Sequence, residues 1–459
     1  MEHPRRCNEG FDENALAMLD SSGVKEACDV DDDRHSFLEA VRSAYLVPDS
    51  PPTPSWKIFN ATFQILRESK SLELAMASYL LLMELDKRYP RVSTGGVGEL
   101  VVDKEAWSPF IIGLEVIRDV AEHALANSEL LIDSSRFSLL VKDISQALNK
   151  SNSVILVKDV EDMLVFQYLV SVIEADFVPR QTLYKETLDW NHPRESIINI
   201  LLTSRKLTFK NLVKDCMLIA HKLSHHQQKH CPDEIKNANN FPKTSSDGDL
   251  ALVIAADEFG KGTCLSMQKL LTLILELDVM KKEADLQGCT SRVDGRRAPL
   301  LEMVLDELTY NKDQISTFLE VFKEPRWKLE IVLQYFSKYC TKSSVRTRRS
   351  SESSDDTTFE YLLSSFSATS SAKAIIKKIT LEVARLLVAH AFQAYLSLQQ
   401  QPKHATAFAG RIGASSLSQI CNAMIVTFQN FRKIDESMEI TSFEKEALFT
   451  AAVLSEKEP

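Results

Sequence analysis

PRWKLEIVLQYFSKYC, residues 325–340, decides the fold class. Pro325 suits a first helical position, where its missing N–H leaves no intrahelical bond unmade. Leu329, Val332, Leu333 and Phe336 then fall on one helical face, and Trp327, Ile331, Tyr335 and Tyr339 on a second. A helix with two apolar faces must be covered on two sides, as in the inner layer of a stacked array.

The same period runs outward in both directions. Just upstream, Leu301, Val304, Leu305 and Leu308 line one face of a helix behind Pro299. Helical patterns also cover roughly 55–68, 71–88, 108–127, 135–149, 159–175, 192–203, 207–224, 264–282, 311–322, 357–367, 374–398, 415–432 and 441–454. No convincing run of alternating strands stands against them, and SVILVKDV (153–160) reads as a helix entry. So many helices joined by short turns predict an all-α chain. Stacked helix pairs are the usual arrangement, here an irregular armadillo/HEAT-like helical-repeat solenoid with no fixed-period motif.

Composition narrows the function classes. Gly is 13 of 459 residues, less than half the average usage of about 7%. Folds that cradle nucleotides in Gly-rich turns are disfavoured. The net charge is −10, but residues 1–50 carry 12 acidic against 5 basic side chains, so the remainder is close to neutral. That balance does not suggest a chain held on DNA mainly by its own charge. The eight cysteines are scattered without a CxxC pair and read as reduced thiols of the cytosol or nucleus. The N-terminal MEHPRRCNEGFDEN has no apolar signal region, and the apolar runs fall short of a membrane span.

Three stretches interrupt the helices. Residues 89–109 read as a loop, with TGGVG (94–98) as a turn. Residues 225–249 are a polar insertion with two prolines, and 341–358 (TKSSVRTRRSSESSDDTT) predict a mobile loop. The chain therefore divides into an acidic segment 1–32, a helical part 33–224, the insertion 225–249 and a second helical part 250–459.

Tests for chemistry fail one by one. EFGKGTC (258–264) lacks the leading Gly of a phosphate loop and has Gly262 where Ser or Thr must follow Lys261. It reads as a helix-entry loop. His221, His225, His226, His230 and Cys231 cluster within eleven residues, but without a Glu in the HExxH position or a second Cys. A polar helix end is the simpler reading. There is no GxSxG elbow, and paired acids such as Asp306–Glu307 diverge around a helix. No cofactor, metal, membrane or small-molecule substrate is expected, and no enzyme activity.

One loop remains. In TSRVDGRRAPLLEMVLDELTY (290–310), Arg292, Arg296 and Arg297 surround the Asp294–Gly295 turn. Guanidinium forks bind a phosphate or a partner's carboxylates equally well. The other reading ties the loop to its own neighbours, for instance through an Asp294–Arg pair. In 344–356, basic residues ahead of Ser350, Ser351, Ser353 and Ser354 resemble a kinase substrate, and a solvated loop is the alternative.

These residues carry a resemblance. LEAVRSAYLVP (38–48), DKEAWSPF (103–110), KKEADLQGCTSRVDGRRAPLLEMVLDELTY (281–310), PRWKLEIVLQYFSKY (325–339), VRTRR (345–349) and FEKEALFTAAVL (443–454) are similar to the plant negative regulator of systemic acquired resistance family, also called suppressor of npr-one, inducible. The resemblance covers nearly the whole chain, with 281–349 its most specific part and 225–249 and 399–413 outside it. It implies a nuclear helical-repeat protein that represses pathogenesis-related defence genes. It also implies a non-ATPase subunit of the structural-maintenance-of-chromosomes five–six complex. There the protein would pair with a second plant helical subunit and act in homologous recombination and DNA repair, with chromatin or DNA contacted indirectly. Direct DNA binding as a transcriptional repressor is the alternative. Because the resemblance is densest there, Arg292, Asp294, Arg296, Arg297, Arg326, Trp327 and Lys328 are the candidate partner-binding residues, or else a junction that fixes the solenoid's shape.

Overall fold

In the computed structural model, the chain is built around two helices that are apolar on more than one side, one in each of two compact units, 1–300 and 301–459. The structure describes residues 9–19, 27–47, 52–94, 100–103, 107–111, 131–149, 156–229, 247–295, 297–310, 315, 319, 321–322, 324–340, 358–400 and 415–456. Seventeen helices are present among them. In chain order they are α1 (Glu9–Ala17), α2 (Ala27–Tyr45), α3 (Trp56–Glu68), α4 (Leu72–Arg88), α5 (Ser134–Asn149), α6 (Val157–Thr187), α7 (Asn191–Arg194), α8 (Ile197–Thr203), α9 (Phe209–Lys229), α10 (Asp247–Leu286), α11 (Leu300–Tyr310), α12 (Pro325–Cys340), α13 (Phe359–Ser365), α14 (Thr369–Ile379), α15 (Leu381–Gln399), α16 (Leu417–Ile434) and α17 (Ser442–Ser455). The expected all-α class holds. Helix lengths from 4 to 40 residues leave the repeat irregular.

The first unit packs around α6. Its stretch MLVFQYLV (163–170) is apolar nearly all round, so neighbours must cover it on several sides. Helices α3, α4, α5 and α10 do so. Its start is closed from one side, where Asp159 accepts the Leu156 N–H at 2.9 Å. Leu188 in the left-handed region (φ 57°) ends it. Inside this packing lies an ion pair. Arg180 Nε stands 3.3 Å from Asp176 Oδ1, with both side chains buried. Asp176 Oδ2 also accepts the Ile197 N–H at 2.8 Å, which fixes the start of α8.

The structure corrects several boundaries. EFGKGTC is neither a loop nor a helix entry: it lies inside the 40-residue α10. The reason sits 92 and 96 residues away in sequence. The Gln167 amide of α6 donates to Phe259 O at 3.0 Å and to Thr263 Oγ1 at 3.1 Å. Gly262 lets the helices approach, since a Cβ there would stand 2.5 Å from Gln167 Oε1. Gly262→Ala is therefore expected to destabilise by about 1–2 kcal/mol, the cost of displacing a buried hydrogen-bonded amide. That loss outweighs the ~1 kcal/mol of helix propensity Ala would gain. Chemical denaturation checks it, and a more stable variant would refute the close-approach argument.

Further corrections follow the same pattern. The predicted loop 89–109 contains an antiparallel hairpin, β1 (Val92–Thr94) on β2 (Leu100–Val102), with Val92 opposite Val102. TGGVG lies mostly outside the described residues. The predicted helix 192–203 is broken at Ser196, whose hydroxyl caps α8 by accepting the Asn199 N–H. The acidic segment 1–32 includes α1 and the start of α2, and Asp12 is buried, accepting hydrogen bonds from the Tyr45 hydroxyl and, at 3.1 Å, the Ser55 N–H. Most of the expected helices 108–127 and 311–322, and the insertion from 230 to 246, lie outside the described residues.

The Asp86 carboxyl of this unit is also shielded from solvent, facing the Tyr168 hydroxyl, and it lines a crevice with Arg91, Trp107 and Asp176. Burial raises its pKa to about 7, against the weaker opposing effect of the Tyr168 hydrogen bond. The folded chain then holds a proton that the unfolded chain releases at lower pH. Stability falls as pH rises toward 7 and levels off above it. Between pH 5 and 7 the expected loss is about 2 kcal/mol. Glu161, raised to about 7 mainly by burial, adds a dependence of the same sign. The measurement is therefore the difference between the parent chain and Asp86→Asn across this range. Parallel stability–pH curves would sink the assignment.

The second unit packs α12 against α15, with α13, α14, α16 and α17 around them. A run of aromatic rings crosses it: Phe336 to Phe366 at 5.4 Å, Phe366 to Phe431 at 5.2 Å and Phe431 to Phe428 at 5.5 Å. Both predicted faces of α12 are used. Leu329, Val332, Leu333 and Phe336 are buried, and so are Trp327, Ile331 and Tyr335. The predicted helix 374–398 is broken at Thr380 (φ 77°), whose hydroxyl caps α15 by accepting the Val383 N–H. Capping boxes at Ser416–Gln419 and Thr441–Glu444 start α16 and α17.

Candidate functional site: the arginine loop and the Trp327 helix

The loop after α10 begins with a helix stop written in local sequence. Gly288 adopts φ +73°, its N–H reaches Asp285 O at 3.1 Å, and the Cys289 N–H reaches Ala284 O at 2.9 Å. This is the Schellman pattern, which satisfies the last helical carbonyls and turns the chain away. Asp294 then folds the loop on itself. One carboxylate oxygen accepts the Ser291 N–H at 2.9 Å and its hydroxyl at 2.8 Å. The other lies 3.5 Å from Arg194 Nε. Burial alone would push the Asp294 pKa up, yet Ser291, Arg194 and Trp190 together hold it below the ordinary carboxylate range.

Arg297 points inward. Its side chain is 6% exposed and stands 2.5 Å from Asp278 on α10. Its guanidinium also lies over the Phe209 ring, 4.9 Å from the centroid. Asp278 accepts the Leu300 N–H at 2.7 Å, so one carboxylate serves both the loop and the start of α11. An Asp294–Arg pair exists as the own-fold reading supposes, but its partner is Arg194, a hundred residues upstream. Arg292 is exposed, and Arg296 lies outside the described residues.

In the second unit, Trp327 is 2% exposed. The Arg326 guanidinium stacks on its ring at 4.4 Å. Lys328 is half-buried beside His390 of α15. Burial first, and then the Lys328 charge, push the His390 pKa down to about 4, so the imidazole is neutral at physiological pH. Its ring packs on Phe443 at 4.4 Å. Close to it in sequence, Arg385 donates to Glu439 O at 2.9 Å and pairs with Glu444 at 3.4 Å. Sequence reasoning missed this buried group, because Arg385 and Glu444 are 59 positions apart and belong to no motif.

Asp294, Arg297 and Trp327 are thus committed to contacts inside their own units. Arg292, Arg326 and Lys328 keep accessible surface. Among the described residues, no group of three or more potential ligands is placed to hold a metal. Of the histidine cluster, only the side chain of His221 is described. Ser350, Ser351, Ser353 and Ser354 lie outside the described residues.

Comparison with known proteins then bears on the whole chain. The SNI1 middle domain family matches residues 69–324, and the SNI1 C-terminal domain family matches residues 340–458. The chain is 39% identical over 444 residues to "Negative regulator of systemic acquired resistance SNI1" of Arabidopsis thaliana, covering 96% of this chain and 93% of that relative. No solved structure matches.

Proposed function

Because the chain belongs to the SNI1 family, we propose that it is a negative regulator of systemic acquired resistance that works by holding partners rather than by bond chemistry. The observation that carries this reading is the end-to-end similarity to the Arabidopsis thaliana relative, which includes both family domains. The site chemistry is compatible with it. Arginines, an acid and an indole fix loop and helix geometry, and Arg292 stands outward on a rigidly closed loop.

The finer reading is a nuclear scaffold subunit of the structural-maintenance-of-chromosomes five–six complex. It would pair with a second helical subunit, serve DNA repair and homologous recombination, and repress pathogenesis-related genes. A chain of helices offers long exposed faces on which partner helices dock. Arg292, Arg326 and Lys328 are the accessible members of the candidate contact set.

Two measurements test this. Expressing the chain in an Arabidopsis thaliana line lacking its SNI1 is expected to restore repression of pathogenesis-related genes, and unchanged defence-gene expression rejects the regulatory reading. Size-exclusion chromatography with light scattering, alone and mixed with the helical partner subunit, is expected to give one joint peak. Separate peaks reject this pairing. Arg292→Glu is expected to weaken the joint peak while leaving stability within about 0.5 kcal/mol, as for an exposed side chain.

A further inference from the structure

The end of α10 carries apolar surface that the fold does not use. Leu286, its last residue, is 83% exposed, and Val279, two turns earlier on the same face, is 40% exposed. The helix stop has no need of Leu286, because its hydrogen bonds run from Gly288 and Cys289 to Asp285 and Ala284. Val293 in the following loop is 51% exposed, and Leu188 at the end of α6 is 43% exposed.

Internal ties bring these side chains to one place. The Tyr184 hydroxyl of α6 donates to Met280 O at 3.1 Å and to the Glu283 carboxylate at 3.3 Å. Farther along, Arg194 of α7 pairs with Asp294 at 3.5 Å. The contacts advance in the same order along 184–194 and 280–294, so the two stretches run side by side. Leu188 lies on one of them, and Leu286 and Val293 lie on the other, all between the two ties. The acids nearby are engaged inside the fold: Glu283 by Tyr184, Asp285 by the Thr290 hydroxyl, and Asp294 by Arg194 and Ser291. Asp189 accepts the Asn191 N–H at 3.0 Å. Glu186 stands about 140° round α6 from Gln181, which faces α10 through Glu276. Lys185 and Arg292 are exposed, and among the described residues neither meets an acid. The surface is apolar with a positive rim.

We propose that this end of α6 and α10 docks an amphipathic helix of a partner protein, apolar on one face and acidic along its edge. The inference rests on the partner-holding reading above and names the chemistry of the partner. A cluster of exposed apolar side chains on a surface held by internal ties marks an interaction site, where single scattered ones would not. Val279 and Leu286 are one heptad apart, about 10.5 Å along α10. That matches anchors at i and i+7 on a docked helix. Lys185 and Arg292 at the rim meet the carboxylates of the partner, and like charge there turns away basic helices.

The test is isothermal titration calorimetry of the full chain against the helical partner subunit, at low and at physiological salt. Leu286→Ser with Val293→Ser is expected to raise the dissociation constant about tenfold or more. Denaturant unfolding of that variant should match the parent, because both side chains are exposed. Leu286→Met with Val293→Ile keeps the apolar surface and should keep the affinity. Lys185→Glu with Arg292→Glu is expected to raise the dissociation constant about fivefold, and by more at low salt. Leu139→Ser, on the exposed face of α5, is the control and should leave binding unchanged. An unchanged dissociation constant in the serine variant overturns the proposal and leaves the pairing standing. Charge reversal without effect at either salt overturns the acidic partner. Absence of binding by the parent chain rejects the pairing and the inference with it. A parent chain that light scattering finds dimeric, and monomeric after Leu286→Ser, assigns the face to a second copy and overturns the proposal too.

Discussion

Replacing Arg180 with Met is expected to lower the unfolding free energy of the first unit by about 3–5 kcal/mol, the usual cost of removing one partner from a buried ion pair. Arg180 and Asp176 lie one turn apart on α6, both buried. Without the guanidinium, the Asp176 carboxylate keeps the Ile197 N–H and the more distant Arg91 charge, but its strong counter-ion is gone. The Arg180 contact to His192 O at 3.3 Å is lost as well, loosening the α7 turn. Asp176→Leu together with Arg180→Met should recover much of the loss, because it leaves no unpaired charge behind. Denaturant unfolding of the two single variants and the double variant completes the cycle. A single-variant cost under 1 kcal/mol would show that water reaches the pair. In a cell, a loss of this size would lower the abundance of the chain, and a weakened phenotype would follow without any interface being touched.

Trp327→Ala is expected to cost the second unit about 3–5 kcal/mol, in the range of large-to-small aromatic substitutions in a core. Trp327 stands on the face of α12 that also buries Ile331 and Tyr335, and Arg326 covers it. Any loss of partner capture in this variant should therefore track loss of folding, seen as a lowered midpoint in thermal or denaturant unfolding of the variant alone. Arg292→Glu gives the opposite signature, altered capture with unaltered unfolding. If Trp327→Ala unfolds like the parent yet no longer captures a partner, the indole is an interface anchor and the packing argument fails.

Some misplaced boundaries have a partner distant in sequence, and others turn on a local cap. Gly260, Lys261 and Gly262 read locally as a helix breaker, and only Gln167 across the helix pair makes them helix. Thr380 reads locally as a helix interior, yet it sits at φ 77° and its hydroxyl caps the next helix by accepting the Val383 N–H. Arg297 reads as a surface cation until Asp278 and Phe209 close over it. By contrast, the two-faced apolar pattern of α12 is complete within a few residues and was legible from sequence, while the Gly288 stop and the Thr441–Glu444 capping box, equally local, were not among the expectations.

The sequence by itself determined the class of this protein. A 3.6-residue apolar period is a local property, and it forces helices with buried faces whatever their neighbours are. The family blocks at 281–310 and 325–339 were equally legible. The tertiary structure alone decided where α10 runs through its glycines and which arginines of the 290–299 loop are tied down. Burial and pairing of a charge depend on what other segments bring within a few ångströms, and no spacing along the chain encodes that distance.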